Sequence, residues 1–265
     1  MLFGSKKVVR IFVLGAPFAT ILFAFGRYGS QFVLYFKIRH ALPYVDSDGK
    51  LGATPQPLNE TAASTGKGTT LSYFDCRFEV PWQEVVLEQK EGRWVDVQFK
   101  TGQAVRIFNP EELYAHDDLI ARRVAGTSSI WEMALKEGFP KSKYEQFKAV
   151  VSVTPAQLSP FQTKSQFART LVLIYQKQAY FEHNPFKPEI FSFEKPGFRG
   201  FEVSGILQNM EEAILTIFDA KDKMFRVSIR GDCGLNARLS QSEIDRVIDS
   251  FSIQNEPPTG APQKQ

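Results

Sequence analysis

The residues best placed to do chemistry form one short run, Glu111-Glu-Leu-Tyr-Ala-His-Asp-Asp118. Carboxylate oxygens beside a single imidazole make a donor set for a divalent cation, and the candidate ligands are His116, Asp117 and Asp118. Neither the EF-hand nor the HExxH spacing is present, and a charged run of this kind also reads as a solvated helix end or loop. The same stretch supplies Glu111, Asp117 and Asp118 as carboxylates for a hydrolase or transferase assembled from separate segments. His183 follows Glu182 at the end of a helical pattern, where its cationic form would complement the helix dipole. His40, the remaining histidine, sits near an apolar N-terminal segment.

Two further features resemble chemistry and fall short of it. Gly66-Lys-Gly-Thr-Thr70 looks like half a phosphate-binding loop, but the first glycine of that motif would fall at Thr61, and Lys67 is followed by Gly68. Cys76 and Cys233 are the two cysteines. They are a candidate disulfide in an oxidising compartment, or two buried thiols behaving as small hydrophobes. No nucleophile elbow occurs, and no motif names a cofactor. A net charge of +3 without a concentrated basic stripe argues against a nucleic-acid partner.

The elements that must position these residues start with the membrane. Lys6, Lys7 and Arg10 precede sixteen residues without a charge, from Ile11 to Gly26. Basic residues followed by an unbroken apolar run mark a membrane-targeting segment. The span from about 8 to 26 is expected to be a single transmembrane helix. A cleaved signal peptide, cut near Ala24-Phe-Gly26, is the alternative. Residues 1–41 are therefore expected to be anchor and juxtamembrane segment, with the following domain on the extracytoplasmic side.

Residues 42–70 are rich in Gly, Pro, Ser, Thr and Asp, and are expected to form a flexible linker. The tail, 254–265, has the same composition. Between them, 71–253 alternates strand and helix signals. Trp94–Phe99 and Ala104–Phe108 predict one hairpin; Ala213–Phe218 and Met224–Arg230 predict another. In the latter strand Phe225, Val227 and Ile229 face inward, and Arg226, Ser228 and Arg230 outward. Ile190–Phe193 and Phe198–Ile206 are further strands, split at Pro196-Gly197. Helices open at Ser129, Ser142, Thr163 and Ser240, each followed three residues later by Glu or Gln, the capping-box spacing. Ile244, Val247, Ile248 and Phe251 then form one apolar stripe. Grouped strands with grouped helices predict an α+β fold, an antiparallel sheet with helices packed on it.

The closing hairpin and the capped helix ending Asp249-Ser-Phe-Ser-Ile253 resemble the end of the PsbP-like α+β sandwich family. The opening Phe78-Glu-Val-Pro-Trp82 is similar to how those domains begin. That resemblance implies a non-enzymatic binding or assembly factor, exported or membrane-attached, and carries no functional residue with it. The expected function is accordingly a membrane-tethered, non-catalytic binding domain, with the lipid bilayer and a protein as partners. A carboxylate hydrolase or transferase is the competing expectation.

Overall fold

The computed structural model describes residues 29–37, 40, 50–59, 66–113, 128–181, 186–207, 210–232 and 237–254. In chain order the strands are β1 (Gln56–Pro57), β2 (Thr69–Tyr73), β3 (Cys76–Val80), β4 (Val85–Lys90), β5 (Trp94–Phe99) and β6 (Gln103–Phe108). Helices α1 (Ser128–Glu137), α2 (Lys143–Ser152) and α3 (Lys164–Phe181) follow. Then come β7 (Phe186–Lys195), β8 (Phe198–Leu207), β9 (Met210–Asp219), β10 (Met224–Asp232), α4 (Gln241–Ser250) and β11 (Ser252–Ile253). Residues 29–37 are also helical.

The fold is α+β. Eight strands form one sheet in the order β1-β7-β8-β9-β10-β6-β5-β4, and β11-β3-β2 form a second. The large sheet is mixed, because β1 runs parallel to β7 while its other pairs are antiparallel. Pro57 lies in β1 at the sheet edge, where its missing N–H costs no ladder bond. The β2–β3 hairpin turns through Phe74 and Asp75, both at positive φ (50° and 64°), as a two-residue turn with this twist requires.

Each face of the large sheet buries a different partner. On one, Val105, Ile107, Leu215, Val227 and Ile229 meet Phe78 and Val80 of β3 and the Ile244, Val247 and Ile248 stripe of α4. Phe251 is the hub there, its ring 6.2 Å from Phe78, 5.8 Å from Phe225 and 5.3 Å from Phe198. On the other face Phe201, Val203 and Phe218 meet Val151 of α2 and Phe181 of α3, with Phe147 and Tyr144 packed between. The sheet is thus the middle layer of three. The abundance of Phe follows: flat rings fill both interfaces, and burying each contributes roughly 2–3 kcal/mol.

Capping signals hold. Ser240 N donates to Glu243 Oε2 at 2.8 Å, and the other Glu243 oxygen accepts from Trp82 Nε1 at 2.9 Å, which ties α4 to the end of β3. Ser142 accepts from Glu145 N, and Thr163 exchanges bonds with Gln166. Helix α1 ends before Gly138, whose φ of +83° suits the left-handed stop.

Three expectations need correction. Residues 50–59, within the expected linker, are built into the fold: Leu51 is buried, β1 pairs with β7, and Lys177 Nζ donates to the Ala53 and Val153 carbonyls. Residues 29–37, expected to be a juxtamembrane segment, also dock on the domain, because Gln31 Nε2 bonds the Gln162 carbonyl at 3.0 Å and Leu34 and Tyr35 cover the Leu51–Leu171 cluster. A segment with such partners is not a spacer. Finally, Ser228 of β10 is buried and Arg226 and Arg230 half-buried, since the face they share is covered by the helical layer. The apolar span at 8–26 lies outside the described residues, as do the linker residues 42–49 and 60–65 and most of the tail. Among the described residues no helix is long and apolar enough to cross a membrane.

Candidate functional site

Of the run that looked most chemical, only residues 111–113 fall in the described part of the chain. Glu111 is exposed on the short helical turn 110–113, its backbone N–H on Asn109 Oδ1 at 3.1 Å. Its neighbour Glu112 faces Arg93 at 4.0 Å. His116, Asp117, Asp118 and His183 lie outside the described residues. Among the described residues no three His, Cys, Asp or Glu side chains gather as a metal site. Cys76 is a buried free thiol whose Sγ donates to the Tyr73 carbonyl at 3.1 Å. Burial, with the Asp75 charge behind it, pushes it up to about 12. A thiol so held is a poor nucleophile. Cys233 lies outside the described residues.

One carboxyl group does show the raised pKa that acid–base work uses. Glu202 of β8 is fully buried beneath α4. Burial pushes its pKa up to about 7, against hydrogen bonds from Gln241 and Ser204, while Asp245 and Glu189 push the same way as burial. Gln241 Nε2 bridges Glu202 Oε2 at 2.9 Å and Asp245 Oδ1 at 3.0 Å. Sealed under a helix without a described opening, this pair is structural.

On the opposite face, β5, β6 and β10 carry a charged cluster. Arg106 forks onto Asp96 with both bonds at 2.7 Å, and Arg230 reaches Asp96 at 3.4 Å. Ser228 donates to Glu212 at 2.7 Å. The Arg106 guanidinium lies 5.1 Å from the Trp94 ring centroid, and that of Arg226 5.4 Å from the Tyr180 ring. A bidentate pair of this kind is geometrically specific. It fastens neighbouring strands and spends its charges on one another.

A cavity among the described residues lies in the helical layer. A cleft of about 380 Å³ opens between the C-terminal ends of α1 and α2 and the first half of α3, lined by Glu137, Ser152, Gln157, Gln162, Gln166, Arg169 and Thr170 among others. Three successive turns build its floor: Thr154-Pro-Ala-Gln157, Ser159-Pro-Phe-Gln162 and Thr163-Lys-Ser-Gln166. In each, the glutamine carbonyl oxygen accepts the backbone N–H of the residue three before it, at 3.2, 3.1 and 3.3 Å. This fixes which way each carboxamide points: the oxygen turns to the backbone and the NH₂ away from it.

No family model, curated protein or solved structure matches this chain. The site therefore rests on its own geometry.

Gln162 spends its NH₂ on the Gln157 carbonyl and the Thr170 hydroxyl, both at 3.3 Å. Arg169 lies 5.9 Å from the Phe139 ring centroid, and its buried Nε has no hydrogen-bond partner among the described residues. The cleft is therefore rich in donors. Its one lining carboxylate, Glu137, accepts the Ser165 hydroxyl at 2.7 Å. The sequence carried a signal for this site in the threefold repeat of Ser/Thr-x-x-Gln, of which only the last was read as a cap.

An apolar surface adjoins it. Val33 and Phe36 on the 29–37 helix are 54% and 62% exposed, and Phe161, in the second turn, is 66% exposed. Phe32 joins them, its ring 5.3 Å from Phe161 and 6.4 Å from Phe36.

Proposed function

We propose that this chain is a membrane-anchored, non-catalytic binding domain, on the extracytoplasmic side, whose helical layer rests against the bilayer. One observation carries the reading. The helical residues 29–37 lie three residues beyond the charge-free run ending at Gly26, are fastened to the domain, and still leave Val33 and Phe36 exposed beside Phe161. Aromatic side chains favour the level of the lipid headgroups. An anchor at 8–26 would set this surface at that level, so the domain would be held on the membrane rather than swing from it.

The non-catalytic part is supported by the chemistry of the described groups. The raised carboxyl, Glu202, is sealed under α4; the thiol of Cys76 is buried and protonated; and the open cleft offers donors rather than an acid–base pair. The binding and assembly roles implied by the PsbP-like resemblance point the same way.

The test uses the full chain in proteoliposomes. Phe36→Trp and Phe161→Trp should each give indole emission quenched by bromine-labelled lipid tails, and the chain should stay with membranes through a carbonate wash. Unquenched emission at both positions would overturn the docked arrangement, and release by carbonate would overturn the anchor.

A further inference from the structure

The cleft beside this surface gathers hydrogen-bond donors. Its available donors come from two places, the 154–157 turn and the first turns of α3. Gln157 and Gln166 hold their oxygens on backbone N–H groups, which turns their exposed NH₂ groups away from those bonds as donors at the open side of the cleft. The Thr170 hydroxyl accepts from Gln162 and keeps its own proton to give. Arg169 adds a guanidinium whose buried Nε has no partner among the described residues. A buried donor left so is costly unless a ligand completes it. Arg169 and Glu137 together bring no net charge to the lining, so a ligand with one negative charge is favoured over a dianion. Donors set on separate turns suit a tetrahedral group of oxygens better than a planar carboxylate, which one guanidinium would satisfy alone.

We propose that this cleft binds a phosphodiester monoanion, with Arg169 on its charged oxygens and the amides of Gln157 and Gln166 on the others. A cleft of about 380 Å³ has room for the ester groups as well. Gln162 joins the two surfaces: its side chain lines the cleft, and its carbonyl receives Gln31 of the 29–37 helix. The phosphodiester has two sources, a lipid headgroup or a soluble ester. The lipid source rests on the membrane-docked reading; the donor chemistry does not.

The experiment titrates the full chain, in a maltoside detergent, with glycerophosphoglycerol and follows heat by calorimetry. Vesicles of phosphatidylglycerol and of phosphatidylcholine are then offered to the same chain in nanodiscs. Saturable binding of the soluble ester, or binding of headgroup-bearing vesicles, supports the site when Arg169→Gln and Gln166→Glu each weaken it at least tenfold. Gln166→Glu is the informative variant. It keeps an oxygen for the Thr163 N–H, so the helix cap survives, while a donor becomes a negative charge. Its thermal midpoint should match the parent. Binding unaltered by both variants, or no saturable binding of either probe, overturns the proposal. Quenching at position 161 should be the same with and without Gln166→Glu, so failure of the site and failure of membrane docking are read separately.

Discussion

Asp222 caps a helix nearly eighty residues away, its Oδ1 accepting the backbone N–H of Tyr144 at 3.0 Å. The other carboxylate oxygen takes the Lys143 N–H, and the Ser142 hydroxyl donates to Oδ1 at 3.0 Å. Asp222 sits in the β9–β10 turn at φ +66°, so this contact fixes the helical layer to the sheet.

Removing that cap should loosen α2. Burial raises the Asp222 pKa, but the N–H groups of Tyr144 and Lys143 and the Ser142 hydroxyl outweigh it and hold the carboxyl below its ordinary value of 3.8. Asp222→Ala is expected to cost about 1–2 kcal/mol at neutral pH, the usual worth of a helix cap. The folded value is the depressed one. The stabilisation is therefore present above the unfolded pKa and is lost as pH falls through the folded one. Urea midpoints of parent and variant should converge in acid. A constant gap down to pH 2 would mean that the charge plays no part.

Glu202 has the opposite sign. Its folded value of about 7 lies above the ordinary 4.5 of a glutamate. The protonated form is favoured in the fold, so stability is fully present below 4.5 and is lost as pH rises through 7. Glu202→Gln keeps an oxygen for Gln241 and removes the titration. The variant should match the parent near pH 4 and exceed it at pH 8 by on the order of 3 kcal/mol. Equal pH profiles for the two proteins would sink this assignment.

Lys177 is fully buried and holds residues 50–59 to the helical layer through the carbonyls of Ala53 and Val153. Lys177→Met keeps much of the stem and strands both oxygens. The expected loss is about 2–4 kcal/mol. Hydrogen exchange at the Leu58 amide, which bonds Ser192 O at 2.9 Å, should accelerate more than exchange in β9. Uniform acceleration across the sheet would show that Lys177 serves global stability and no local clasp.

The amino-acid sequence by itself determined whatever is encoded within a few residues. The β5–β6 and β9–β10 hairpins, the starts of α2 to α4 and the α4 stripe were all legible, because caps and alternation are interactions between near neighbours. The extent of β7 and β9 was underestimated, and β1, β2, β3, β4 and β11 were not read as strands: β1 and β11 are two residues long, β4 is wholly exposed, and β2 and β3 are five residues each. The candidate site was legible only in its third capping turn. Tertiary structure decided the rest. The parallel addition of β1, the Asp222 cap, the sealing of Glu202 under α4 and the docking of 29–37 each join residues remote in sequence. It also decided the fate of the glutamines. Ser/Thr-x-x-Gln determines where each oxygen points, but only the approach of α1, α2 and α3 leaves their nitrogens and Arg169 around one cavity, since convergence depends on where whole elements pack and not on any local hydrogen bond.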